Sequence, residues 1–152
     1  MLDLDAPIVP GEGAAGLRVG ARVADLPPTA LASFAVERRV NPCLPNAVLT
    51  VYRSPAVTLT VENRVIDQIA VHGGYRGALA GDVRVGCSLA EAEARLGPVA
   101  ADDLGQLVVR DLPGLRFEVA DPVPVAVPAG DVSDDEAVSP SAPITAIVVF
   151  RT

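Results

Sequence analysis

Over three consecutive stretches in the first half of the chain, apolar and polar residues alternate with a period of two, which predicts strands. The clearest is Ala56 to Glu62, where Val57, Leu59 and Val61 alternate with Thr58 and Thr60. One of its faces should be buried and the other wet. Ala47 to Tyr52 precedes it and Arg64 to His72 follows, with Arg53-Ser54-Pro55 and Glu62-Asn63-Arg64 as tight connections, so the three form an antiparallel meander. Three matching stretches occur in the second half: Gln106 to Arg110, Leu115 to Val119 and Ile144 to Phe150. Leu112-Pro113-Gly114 is the turn between the first two.

The helical pattern is clearest over Ser88 to Leu96, closed by Gly97-Pro98. Ser88 and Glu91 form the S-x-x-E capping box, in which the serine hydroxyl accepts from an orphan backbone N–H and the glutamate reaches back. In the first half, Val23 to Val40 carries Leu26, Leu31, Phe34 and Val36 around the Pro27-Pro28 break, which predicts a turn and then a helix from about Thr29. A short strand precedes each helix, Leu17 to Val19 stopped by Gly20, and Val83 to Gly86. Residues 6–13 read as an edge strand or a loop, and Asn41-Pro42-Cys43-Leu44-Pro45-Asn46 as a loop, because residues before proline leave helical geometry.

These parallels amount to a duplication. Gly16-Leu17-Arg18-Val19-Gly20 reappears as Asp82-Val83-Arg84-Val85-Gly86, and Ile66 to Val71 as Ile144 to Val149. The expected fold is α+β in a single domain over 1–152. Two pseudo-repeats, about 14–72 and 80–152, each hold a short strand, a helix and a three-stranded antiparallel meander, and they share one core. The copies differ most between Ala120 and Pro143. Asp121 to Pro128 looks extended and edge-like, and about 129–143 reads as a solvated, mobile loop.

Composition narrows the function classes. A chain of 152 residues is long enough to bury a core without staples. Its net charge of −7 disfavours nucleic acid and anionic membrane surfaces, which require clustered cations. No apolar run approaches the ~18–20 residues that span a bilayer, and Met1-Leu2-Asp3-Leu4-Asp5 carries acids where a secretory signal carries bases. A cytoplasmic protein is expected. There is no lysine among the twelve basic residues, so Schiff-base chemistry and a phosphate-loop lysine are excluded. Cys43 and Cys87 are too few and too far apart for a disulfide framework or a zinc site.

Candidate chemistry is sparse. His72, the sole histidine, precedes Gly73-Gly74-Tyr75, but neither a G-x-S-x-G elbow nor alternating helices and strands accompany it. Cys87 stands just before a helix cap, where the dipole can activate a thiol and where an apolar residue commonly packs. Its counterpart in the first copy is Ala21, which favours packing. Asp131, Asp134, Asp135 and Glu136 could engage a partner or a hard cation, yet they lack the spacing of a calcium loop. They are read as a solvated loop with partner binding as its one candidate role. Gly20, Gly86, Gly97, Ser88 and Glu91 are structural. No metal and no cofactor are expected.

The stretch from Val83 to Gly97, apolar-Arg-Val-Gly-x-Ser-Leu-x-Glu-x-x-x-x-Leu-Gly, resembles a signature of small bacterial α+β proteins, including the outer-membrane lipoproteins that assist β-barrel assembly. The tandem helix-then-sheet arrangement resembles the β-lactamase inhibitor protein architecture. The resemblance implies a scaffold for binding proteins, with inhibitors and toxin-immunity proteins as the implied class. The chain departs from it in carrying no tryptophan and few aromatic residues. The leading expectation is a non-enzymatic module that binds a basic protein. The alternative is a small enzyme or small-molecule binder whose pocket lies between the pseudo-repeats, with His72, Tyr75, Cys87, Asp102 and Asp103 as its polar set. Oligomeric state is not legible.

Overall fold

A computed structural model describes residues 3–40, 48–103, 106–119 and 142–151. The fold is mostly β. A two-stranded hairpin, β1 (Gly13–Ala14) and β2 (Leu17–Arg18), sits beside a large antiparallel sheet of eight strands. In chain order these are β3 (Ala35–Val40), β4 (Val48–Arg53), β5 (Val57–Glu62), β6 (Val65–His72), β7 (Val99–Ala101), β8 (Leu107–Val109), β9 (Leu115–Val119) and β10 (Ile144–Phe150). Across the sheet the order is β3-β4-β5-β6-β10-β9-β8-β7. The two strands that close the meanders, β6 and β10, therefore meet at the centre, with His72 opposite Ala146 and Gln68 opposite Phe150. Two helices, α1 (Pro28–Leu31) and α2 (Leu89–Leu96), and single helical turns at Val23–Asp25 and Ala80–Asp82 complete the described elements.

The strand residues divide by face as their alternation predicts. Val57, Leu59 and Val61 of β5, Ile66, Ile69 and Val71 of β6, Leu115 and Phe117 of β9, and Ile147 and Val149 of β10 form one cluster. Leu89 and Ala92 of α2, Phe34, Leu79, Val83 and the hairpin residues Ala14 and Leu17 pack onto that same face. Between β5 and β6, Asn63 and Arg64 both take positive φ (53° and 65°), the pair of left-handed residues that a two-residue hairpin turn requires.

The turns that lead toward the helices are fastened to the sheet by matching bonds. The Gly20 amide donates to the Ile66 carbonyl (2.7 Å) and the Ile66 amide to the Ala21 carbonyl (2.9 Å). Likewise the Gly86 amide donates to the Ile144 carbonyl (2.8 Å) and the Ile144 amide to the Cys87 carbonyl (2.7 Å). Both glycines have positive φ, 87° and 100°, a conformation that costs a residue with a Cβ and that turns the chain sharply into the next segment.

Three local expectations are corrected. The helix expected from Thr29 is confined to the four residues of α1, and Ala35–Val40 is strand. The Phe34 amide closes a last turn on the Leu31 carbonyl, after which β-branched Val36 and Val40 and a continuous ladder to β4 outweigh the helical spacing of apolar positions. Val83 to Gly86 forms no strand. Asp82 (φ 63°) and Gly86 (φ 100°) place left-handed bends on either side of it, leaving a lone bridge between Leu79 and Val83. Val99–Ala101, which the sequence did not mark, is β7 and pairs with β8, so each side of the sheet has four strands rather than three. The expected extended stretch 121–128, the loop over 41–46 and positions 129–141 of the expected mobile loop lie outside the described residues.

Ser88 caps the start of α2. Ser88 has extended dihedrals and its hydroxyl accepts from the Glu91 amide at 3.2 Å, while the Glu91 carboxylate accepts from that hydroxyl at 3.4 Å. Ser88→Ala should lower stability by about 0.5–2 kcal/mol, read as a lower urea midpoint at unchanged slope. Among the described residues no helix is long and apolar enough to cross a membrane.

Candidate functional site

Cross-strand partners share a face, so the ladders define what the other side of the sheet displays. One row runs through all eight strands: Ala35, Arg53, Thr58, Ala70, Val148, Arg116, Val108 and Ala100. A second row holds Glu37, Val51, Thr60, Gln68 and Phe150, and a third His72, Ala146 and Glu118. None of these belongs to the cluster beneath the helices.

Polar contacts order this second face. The Arg116 guanidinium donates to the Gln68 side-chain carbonyl at 3.1 Å. Since Arg116 stands opposite Val148 and Gln68 opposite Phe150, the bond crosses β10 and ties β9 to β6. Val148, 1% exposed, lies along that crossing. Thr58 Oγ1 and His72 Nε2 are 2.9 Å apart and share a hydrogen bond. Arg53 pairs with Glu37 at 3.5 Å, both half exposed. The result is a mosaic of small apolar residues among hydroxyl, amide, imidazole and guanidinium groups.

The polar set assigned to an inter-repeat pocket is dispersed. His72 ends β6 at the centre of the sheet, whereas Asp102 and Asp103 follow β7 at its edge. Four strand spacings, ~19 Å, separate those strands. Asp102 accepts from the Gln106 amide at 2.9 Å, which closes the connection between β7 and β8. Cys87 is half-buried and packs against the core, with its backbone fastened to β10.

Tyr75 is buried and serves the fold. Its hydroxyl donates to the Ala6 carbonyl at 2.6 Å and accepts from the Ala15 amide at 2.8 Å. Burial pushes the phenol pKa up; the Ala15 bond works against this, and the nearby Asp3 and Asp5 carboxylates add to it. The same strap is held by the Arg76 and Gly77 amides on the Leu4 carbonyl, by the Ile8 amide on the Ala78 carbonyl and by an exposed Arg76–Asp5 pair at 2.8 Å. Gly77 is a glycine for a steric reason: a Cβ there would run into the Ala6 carbonyl.

Asp131, Asp134, Asp135 and Glu136 lie outside the described residues. Among the described residues no three of His, Cys, Asp and Glu gather where a metal could be held. A shallow recess beside the β1–β2 hairpin is lined by Pro7, Val9, Glu12, Gly13, Leu17 and Arg18, none of them in the expected polar set. The residues that sequence reasoning missed are Arg116, Gln68 and Thr58. Their signal was present in strand parity, since Arg116 and Glu118 alternate with Leu115, Phe117 and Val119. Compared with known proteins, the chain matches no family model, no curated protein and no solved structure.

Proposed function

We propose that this chain is a non-enzymatic protein-binding module of the inhibitor or immunity kind, and that it engages a basic protein with the second face of its sheet. One observation carries the reading. The described residues of α2, of the hairpin, of the N-terminal strap and of the segments flanking both helical turns pack on a single face, while on the other a row of residues, half-buried or exposed apart from Val148, is continuous over eight strands, about 34 Å wide. Such a surface spans enough width for a specific interface of ~800 Å² per partner. Small apolar residues flanked by Arg116, Gln68, Thr58 and His72 give it the apolar interior and hydrogen-bonding rim that interfaces use. The net charge of −7 favours a cationic partner and speeds its encounter.

Duplication belongs to the same reading, with 14–72 and 80–152 as two copies of one helix-then-sheet unit. Its support is positional. Gly20, Ala21 and Ile66 make the same pair of backbone bonds as Gly86, Cys87 and Ile144, the residues that the sequence comparison pairs. The strand order is also mirrored about the β6–β10 seam. A tandem unit of this kind is what the resemblance to the β-lactamase inhibitor protein architecture describes.

The test reverses charge on the proposed face. Glu62 alternates onto this face with Thr58 and Thr60 of β5, and tagged protein and its Glu62→Arg/Glu118→Arg variant are compared in capture from lysate of the source cell. The expected result is one stoichiometric basic protein, weakened both by the variant and by rising salt. Capture indifferent to both would overturn the reading, as would turnover of a substrate that disappears with His72→Ala.

A further inference from the structure

The two edges of the large sheet are unlike. β7 has three residues, of which Ala100 and Ala101 are exposed. β3 has six, about 20 Å of strand. Its ladder to β4 runs without a break from Ala35 opposite Arg53 to Val40 opposite Val48, with neither bulge nor proline. No backbone bond from its outward edge is formed among the described residues. An edge of this length and regularity is a template for another strand.

The helix-side face of β3 carries two features that select what would pair there. Val36 is 57% exposed, one of only two large apolar residues so exposed among the described residues. Two positions on, the exposed Arg38 makes no ion pair among the described residues, whereas Glu37 on the other face is matched by Arg53. A cation on an edge deters indiscriminate pairing, and it favours a strand with a carboxylate opposite. A second copy of this chain does not supply one. In two-fold antiparallel β3–β3 pairing, the registers that keep faces matched set Arg38 against Val36, Arg38 or Val40 of the other copy.

We propose that β3 is a docking edge for an extended acidic segment of a partner protein. The segment adds antiparallel to the sheet with an apolar residue opposite Val36 and an Asp or Glu two residues earlier opposite Arg38. This is recognition by strand addition, in which main-chain bonds give affinity and alternate side chains give specificity. It is a site apart from the face assigned above and stands or falls separately.

Fluorescence anisotropy with the intact protein tests it. The probe is a labelled, N-acetylated six-residue threonine peptide with one glutamate placed two positions before one valine. Saturable binding is expected, weakened on the order of tenfold when the peptide glutamate becomes lysine or when the protein carries Arg38→Glu, and restored when both changes are combined. N-methylating alternate peptide amides on the docking edge should abolish binding without altering charge. The proposal is overturned by absence of binding, by equal binding of the lysine peptide, by insensitivity to N-methylation, or by sedimentation showing a dimer that excludes the peptide.

Discussion

Ile147→Ala should destabilise the protein by about 2–5 kcal/mol, a large part of the ~5–15 kcal/mol available to a domain of this size. Ile147 is fully buried on β10, opposite Val71 on one side and Phe117 on the other, so it lies where the two meanders meet. Truncating it removes the transfer energy of three carbons and leaves a cavity that strands tied on both edges cannot close. Urea unfolding followed by circular dichroism should show a lower midpoint with an unchanged slope. A loss below about 1 kcal/mol would mean that this seam packs loosely.

Tyr75→Phe should cost about 1–3 kcal/mol for each of the two partners it strands, the Ala6 carbonyl and the Ala15 amide. The pH dependence has a definite sign. Burial raises the folded-state phenol pKa above its unfolded value of about 10, so the neutral form is the one the fold favours. That contribution is complete below pH 10 and is lost as pH rises through the raised folded value. No lysine titrates in that window, since the chain has none. Urea midpoints from pH 8 to 11 should therefore fall for the parent protein and fall less for Tyr75→Phe, the two converging at the alkaline end. Parallel curves would mean that the phenol is not what couples the strap to pH.

Much of the sheet was legible because burial on one face imposes a period of two. Val57, Leu59 and Val61 mark β5 unaided, and the apolar, β-branched stretches Ile66 to Val71 and Ile144 to Val149 marked both central strands. β3 was not, because Leu31 and Phe34 fall at helical spacing just before it, while the pairing that decides the matter comes from β4, across a connection the sequence cannot place. β7 was not, because Val99-Ala100-Ala101 carries too little side chain to show a pattern. The second face was harder still. Counted from the Asn63-Arg64 turn, Thr58 would stand opposite Ile69; the register shift between Thr60 and Val61 sets it opposite Ala70 instead. That one-residue bulge brings His72 onto the face that holds Thr58, and a bulge leaves no mark in composition. Tyr75 could be read as functional from sequence because its partners, 60 and 69 positions away, are invisible there.

The central seam also bears on how the chain is made. Ala146 pairs with His72, 74 positions earlier, so the strand that completes the middle of the sheet is the last of the described elements to emerge in synthesis. Each meander is local and can form quickly, but closing β6 against β10 must wait for that distant strand. Until then β6 presents a bare edge along Gln68 to His72, backed by Ile69 and Val71. An unfinished chain is thus most exposed to misassociation at the position that the finished protein hides best, and slowed translation past residue 119 should raise its demand for chaperones.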